Sequence, residues 1–114
     1  MSAITTHVLD TSQGRPAGGV GVVLEIRIAP RDWKMLGRGT TDADGRLRTL
    51  LPPDSSLEAA TYRLTFDTAG YFSAQGVEGF YPEVTVTFDV RDAGGHYHVP
   101  VLLSPYGYST YRGS

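Results

Sequence analysis

The stretch that decides the fold is Val20-Gly21-Val22-Val23-Leu24-Glu25-Ile26-Arg27-Ile28, in which apolar residues occupy every second position. Successive side chains of a β-strand point to opposite faces of its sheet, so this alternation predicts a half-buried strand. Residues 84–90 repeat the pattern, with apolar residues at the even positions and polar residues between them. Both segments are therefore predicted to be strands.

Six further segments favour strands, through weaker alternation or through their position between turn residues. They cover residues 4–9, 33–40, 46–50, 62–67, 97–103 and 109–112. Turn chemistry separates them, as in Asp42-Ala43-Asp44-Gly45, where glycine tolerates the positive φ of a tight reversal. A short, glycine-interrupted helix is expected near residues 70–79. The pattern predicts an all-β fold: an eight-stranded antiparallel β-sandwich with one short helix, formed by a single domain over residues 1–114.

The composition excludes several classes of function. The chain has 114 residues and no cysteine, with 10 Lys or Arg against 12 Asp or Glu and a formal net charge of −2. The basic residues are scattered, so no basic stripe is available for nucleic-acid phosphates. No apolar run approaches the roughly 20 residues of a membrane span, and the first ten residues lack the features of a signal peptide. We expect a cytoplasmic protein with neither nucleic acid nor membrane as a partner.

Two of the predicted strands carry histidine on the face that should point outward. The core sides of these strands follow from their apolar residues, which leaves Thr5, His7 and Leu9 outward on one strand and His98, Pro100 and Leu102 outward on the other. A solvated face would not normally collect leucine and proline beside histidine. We therefore predict that another subunit covers this surface, and that a functional site lies on it.

The pairing of the last two strands is open between two registers. A four-residue loop over residues 105–108 would pair Ser104 with Ser109, Leu102 with Tyr111 and Pro100 with Gly113. A three-residue loop would shift the pairing by one residue and set Ser114 opposite His98. Both registers place the C-terminal tail beside His98.

The histidine spacing leaves a metal site as an alternative. His96 and His98 lie on one face of a strand, and His7 could add a third ligand if the two histidine-bearing strands are neighbours. Two histidines on one strand are a weak signal, so we predict no metal. A serine nucleophile is disfavoured because no serine stands in a Gly-x-Ser-x-Gly turn.

Several blocks of the sequence resemble the transthyretin-related family. They are Ile4-Thr5-Thr6-His7-Val8-Leu9-Asp10, Gly14-Arg15-Pro16-Ala17, Thr41-Asp42-Ala43-Asp44-Gly45-Arg46 and the segment over residues 96–114. The terminal Tyr111-Arg112-Gly113-Ser114 looks like the signature of the family's 5-hydroxyisourate hydrolase branch and is not expected in its hormone carriers. The resemblance implies a homotetramer with active sites at the dimer–dimer interface. It also implies hydrolysis of 5-hydroxyisourate, a product of urate oxidation, to 2-oxo-4-hydroxy-4-carboxy-5-ureidoimidazoline.

The resemblance carries the functional positions over to His7, Arg46, His98 and residues 111–114. Histidine titrates near neutral pH, so His98 with His7 is expected to activate water. Arg46 stays cationic and would bind the substrate and stabilise an oxyanion. Tyr111 and Arg112 are expected to bind substrate together with His7 and Arg46, and Ser114 to act through its hydroxyl or its terminal carboxylate. Neither a metal nor an organic cofactor is implied.

Two other functions stay open at this stage. A non-catalytic ligand carrier could use the same interface channel, although it would not need two imidazoles, a guanidinium and a fixed tail. A zinc hydrolase built on the histidines would contain bound metal and lose activity to a chelator.

Overall fold

The computed structural model describes residues 2–113, which form nine strands and one helix. The elements are β1 (Ile4–Asp10), β2 (Arg15–Pro16), β3 (Gly21–Ala29), β4 (Asp32–Thr40), β5 (Arg46–Leu47), β6 (Ala60–Phe66), α1 (Thr68–Ser73), β7 (Val84–Val90), β8 (Tyr97–Ser104) and β9 (Gly107–Thr110). Within the described residues, no helix has the length and apolar character needed to cross a membrane.

The strands form two sheets that pack face to face. One sheet has the order β2-β1-β8-β9, with β5 also paired to β1, and the other has the order β4-β3-β6-β7. The inward residues of both sheets build one apolar core, whose fully buried side chains include Ile4, Val8, Leu24, Leu64, Phe66, Val84 and Val101. The predicted β-sandwich with one short helix is confirmed.

One strand pair differs in direction from the predicted antiparallel arrangement. Strands β1 and β8 run parallel over seven residue pairs, from Ile4 opposite Tyr97 to Asp10 opposite Leu103, whereas the other pairs are antiparallel. Alternation fixes which face a side chain occupies but carries no information on strand direction. The prediction of a wholly antiparallel sandwich was therefore wrong at this pair.

Several element boundaries also differ from the predicted ones. The short strand β2 was not predicted, and β5 ends at Leu47 rather than Leu50. Alternation is lost after Leu47, since Arg48 and Thr49 are both exposed and Leu50 and Leu51 are both buried. Helix α1 begins earlier than expected because the Asp67 side chain accepts a hydrogen bond from the Gly70 N–H and caps it.

The final hairpin has a shorter loop than either predicted register. Ser104 pairs with Gly107 and Leu102 with Ser109, which leaves two residues in the loop. The Ser104 hydroxyl donates to the Gly107 carbonyl oxygen at 3.1 Å and closes the turn. Both predicted registers were wrong, since Gly113 rather than Ser114 lies opposite His98. The predicted position of the tail beside His98 is confirmed.

Candidate active site

The first two site residues lie side by side on adjacent strands. His7 of β1 pairs directly with Arg46 of β5, so both side chains point to the same, outward face of the five-stranded sheet. Their neighbours Thr6 and Leu47 point into the core and are buried. A guanidinium and an imidazole therefore stand next to each other at the surface.

A tight turn positions this pair. Asp42 begins the turn, and its side chain accepts hydrogen bonds from the backbone N–H groups of Asp44 and Arg46, at 2.9 and 3.0 Å. The bond from the Arg46 N–H is the main cause that lowers the pKa of the Asp42 carboxyl. Gly45 adopts a φ of 76°, and an added Cβ would collide with the Val8 carbonyl oxygen of β1. The turn that sequence reasoning predicted at residues 42–45 thus holds Arg46 against β1.

The same turn orients the imidazole of His7. The Asp44 carbonyl oxygen lies 2.9 Å from Nε2 of His7. A carbonyl oxygen can only accept, so Nε2 carries the proton of this bond. In the neutral ring, Nδ1 of His7 is then the nitrogen with a free lone pair.

The second histidine lies on the other side of β1. His98 of β8 is opposite Thr5, two residues before His7, so both histidines point to the same face of the sheet. Nδ1 of His98 is 2.8 Å from the Thr5 hydroxyl oxygen. Strands β5, β1 and β8 therefore present Arg46, His7 and His98 together, as sequence reasoning predicted for the two histidines.

The C-terminal tail packs against His98. The Gly113 N–H donates to the His98 carbonyl oxygen at 2.8 Å, and the two residues form an isolated β-bridge. A Cβ on Gly113 would lie 2.6 Å from Cδ2 of the His98 ring. Only glycine therefore allows this tail and this ring to occupy their observed positions.

Sequence reasoning also predicted site roles for three other tail residues, Tyr111, Arg112 and Ser114. Tyr111 is 57% exposed, and the Arg112 guanidinium lies 4.7 Å from the centre of the buried Tyr97 ring. Both line a cavity of about 240 Å³ together with His98, between β7, β8 and the tail. Ser114 lies outside the described residues, and the predictions for its hydroxyl and carboxylate remain predictions.

Burial and nearby positive charge favour the neutral form of His98. Burial is the main cause that lowers the pKa of His98 below its usual value of 6.5, and the nearby positive charge of Arg46 acts in the same direction. His7, His96 and Arg48 add smaller effects of the same sign. A neutral imidazole can accept a proton at neutral pH, which is what a general base needs.

The described residues offer no arrangement suited to a metal ion. Residues 2–113 contain no group of three or more His, Asp or Glu side chains placed to share one ion. The Thr5 hydroxyl instead contacts both Nε2 of His96, at 3.2 Å, and Nδ1 of His98. The two histidines that could have formed a zinc site are joined through a threonine.

Sequence reasoning missed two residues at this site. Thr5 was only a neighbour of His7 on the outward face, and Gly113 only a part of the terminal motif. A partial signal for both residues was present in the sequence, because Thr5 was predicted on the outward face and Gly113 in the tail beside His98. The contacts themselves depend on the parallel pairing of β1 with β8 and on the hairpin register, which the sequence left open.

The chain is similar to 5-hydroxyisourate hydrolases and to transthyretins. A family model described as "HIUase/Transthyretin family" matches residues 4–113. A probable 5-hydroxyisourate hydrolase of Caenorhabditis elegans is 50% identical over 113 residues, which cover 99% of this chain and 82% of the relative.

Solved structures of both kinds share the fold. Transthyretin from Sparus aurata superposes with a TM-score of 0.91 at 33% identity, covering 99% of this chain and 97% of that one. A 5-hydroxyisourate hydrolase of Klebsiella pneumoniae superposes with a TM-score of 0.84 at 37% identity, covering 97% of this chain and 98% of that one. The overall fold is thus common to a transthyretin and to a 5-hydroxyisourate hydrolase.

Proposed function

The chain belongs to the HIUase/transthyretin family, and from that premise we propose that it is an enzyme that hydrolyses 5-hydroxyisourate to 2-oxo-4-hydroxy-4-carboxy-5-ureidoimidazoline. The observation that carries the proposal is the row of Arg46, His7 and His98 on one outward face of β5, β1 and β8. These side chains supply the three requirements of hydrolysis at neutral pH, which are a base, a second polar group for the water and a fixed positive charge.

In the proposed reaction, His98 acts as the general base. It takes a proton from a water molecule, and the resulting hydroxide adds to a ring carbonyl carbon of the substrate. The carbonyl oxygen becomes an oxyanion, which collapses as the ring C–N bond breaks, and the leaving nitrogen takes the proton that His98 had removed from water. The lowered pKa of His98 supports this role, because the ring remains able to accept a proton at neutral pH.

His7 positions the attacking water, and Arg46 stabilises the negative charge that develops on the substrate. Nδ1 of His7 carries the free lone pair, since its Nε2–H is engaged by the Asp44 carbonyl, so His7 can hold the attacking water through one of its hydrogens. The Arg46 guanidinium supplies a fixed positive charge and stabilises the oxyanion. Tyr111, Arg112 and Ser114 are proposed to bind the substrate from the tail.

An ultraviolet assay tests this function. 5-Hydroxyisourate is generated in place with urate oxidase, and its decay is followed with wild-type protein, His98→Ala and Arg46→Ala. We expect wild type to accelerate the decay, and each variant to lose about 10²-fold or more of that acceleration. Arg31→Ala, an exposed residue next to β4 on the other sheet, is the matched control and should behave as wild type.

The carrier alternative is favoured by one observation, the TM-score of 0.91 with a transthyretin. Deleting residues 112–114 separates the two functions. An enzyme of the proposed kind loses turnover, because the tail packs on His98, whereas a simple carrier keeps its ligand binding. Wild-type protein that leaves the spontaneous decay rate unchanged would make the carrier the better reading.

We also propose a homotetramer with its active sites at the dimer–dimer interface. Among residues 2–113, β7 pairs only with β6 and β9 only with β8, so each sheet has an open edge that could pair with a second copy. Leu9 and Leu102 are half-buried on the outward face that carries the histidines, and these partly exposed leucines favour cover by another subunit. Light scattering should give four times the chain mass of 12.3 kDa. The cytoplasmic location stays a prediction, which cell fractionation would test.

A further inference from the structure

Thr5 is buried although it lies on the outward face of its sheet. It alternates with Ile4 and Thr6, which point into the core, yet it is only 2% exposed. Its hydroxyl oxygen lies 2.8 Å from Nδ1 of His98 and 3.2 Å from Nε2 of His96. The proposed mechanism uses neither the Thr5 hydroxyl nor His96, so this contact needs its own explanation.

The number of protons on the three groups restricts how they can be arranged. A threonine hydroxyl has one hydrogen to donate, and a neutral imidazole has one nitrogen that donates and one that accepts. If Thr5 donates to His98, then His98 carries its proton on Nε2 and His96 donates to Thr5. If Thr5 donates to His96, then Nδ1–H of His98 donates to Thr5, and Nε2 of His98 is unprotonated. The tautomers of the two histidines are therefore linked through one hydroxyl.

We propose that Thr5 is a positioning residue that, together with His96, holds His98 in the tautomer whose Nε2 carries no proton. The inference rests on the proposed function, since an unprotonated Nε2 is the atom that His98 needs as a base. Thr5 accepts the Nδ1–H of His98 and donates its own hydrogen to Nε2 of His96. When Nε2 takes a proton from water, the Nδ1–H bond to Thr5 remains and orients the charged ring.

Each partner in this arrangement has the geometry that the role requires. Thr5 and His98 are directly opposite on the parallel pair β1 and β8, so the backbone fixes their separation. His96 lies just before β8 and is exposed, so it can exchange its own proton with water. The tail residue Gly113 packs on the other side of the ring and prevents it from turning away from Thr5.

Nuclear magnetic resonance of ¹⁵N-histidine-labelled protein tests the inference without substrate. Long-range ¹H–¹⁵N spectra report which ring nitrogen is protonated. We expect wild-type His98 to carry its proton on Nδ1. Thr5→Val, which keeps the side-chain shape but removes the hydroxyl, should shift His98 toward the Nε2–H tautomer, and Thr5→Ser should restore the wild-type state. His96→Phe should also shift His98 toward Nε2–H, because Thr5 then has no acceptor other than Nδ1.

Kinetics give the second readout. Thr5→Val and His96→Phe should lower kcat by about threefold to tenfold, the effect of one ordinary net hydrogen bond, with little change in KM. Thr5→Ser should retain kcat. The inference is overturned if wild-type His98 carries its proton on Nε2, or if the tautomer is the same in wild type, Thr5→Val and His96→Phe. A purely structural role for His96, which is exposed, would not change the tautomer of another ring.

The two readouts separate this inference from the function on which it rests. Protein that shows the expected tautomer and its response to substitution, but does not hydrolyse 5-hydroxyisourate, overturns the proposed function. Protein that hydrolyses the substrate with His98 in the opposite tautomer overturns the inference alone.

Discussion

Replacing Gly113 with alanine tests how closely the tail and the His98 ring fit. An alanine Cβ at this position would lie 2.6 Å from Cδ2 and 3.3 Å from Cγ of His98. Carbon atoms in ordinary contact are about 3.5 Å apart or more, so the ring or the tail has to move by roughly 0.9 Å. The ring is not free to yield, because its Nδ1 is hydrogen-bonded to Thr5 at 2.8 Å.

Either displacement should reduce catalysis strongly. A shift of about 1 Å in a catalytic group can cost about 10²-fold in rate, which corresponds to roughly 2.7 kcal/mol of transition-state stabilisation. We therefore expect Gly113→Ala to lower kcat/KM by about 100-fold in the 5-hydroxyisourate decay assay. The substitution lies at a half-buried position of the tail, outside the apolar core, so the urea midpoint should change little.

Gly107→Ala is the matched control for this prediction. It lies in the same hairpin, and its added Cβ would meet nothing closer than the Ser104 hydroxyl oxygen at 3.7 Å, an ordinary contact. We expect it to retain wild-type kcat/KM. The reasoning is refuted if Gly113→Ala also stays within about threefold of wild type, since the ring and tail would then accommodate a methyl group without loss.

Three further predictions concern charge, stability and metal. Arg46→Met should raise the pKa of His98 in an NMR titration, because it removes a positive charge that disfavours the protonated ring; an unchanged or lower pKa would contradict this. Tyr71→Phe removes the 2.6 Å hydrogen bond to the buried Asp10 and should lower the free energy of unfolding in urea by about 1.5–3 kcal/mol at neutral pH. Burial raises the pKa of the Asp10 carboxyl, but the hydrogen bonds to this carboxyl outweigh that effect and hold its pKa below 3.8. The loss of stability caused by Tyr71→Phe should therefore shrink as the pH falls below 3.8. The control is Tyr106→Phe, at a side chain that is 71% exposed. Exhaustive dialysis against a chelator should leave turnover unchanged, and activity restored only by zinc would support the zinc hydrolase instead.

Alternation allowed the faces of the strands to be predicted but not how the strands pair. Val99 and Val101 were assigned to the core and His98 to the outward face, and the structure confirms this because side chains alternate wherever a strand is regular. The direction of β8 relative to β1 is set by how the whole chain crosses the sandwich. No local pattern in either strand contains that information.

The sequence allowed the chemical groups of the candidate site to be predicted, but not the contacts between them. His7 and His98 could be identified from their outward position and from the family resemblance, and Arg46 from the resemblance alone. The contact between Thr5 and His96 joins residues 91 positions apart and depends on the parallel register. The bridge between Gly113 and His98 depends on a two-residue loop, which the Ser104 hydroxyl closes by bonding to Gly107. A period-two pattern does not encode a side-chain hydrogen bond that closes a turn.

The same alternation explains why the fold alone does not determine the function. Along β1, Ile4, Thr6 and Val8 point inward, while Thr5 and His7 point outward. The inward set fixes the packing of the two sheets, so the outward set can change without altering the core. Proteins with different functions can therefore superpose closely, and likeness of backbone cannot choose between a carrier and a hydrolase. The choice rests on outward groups that a carrier has no need to align: an imidazole beside Thr5, a guanidinium paired with His7, and a tail whose glycine packs against the His98 ring.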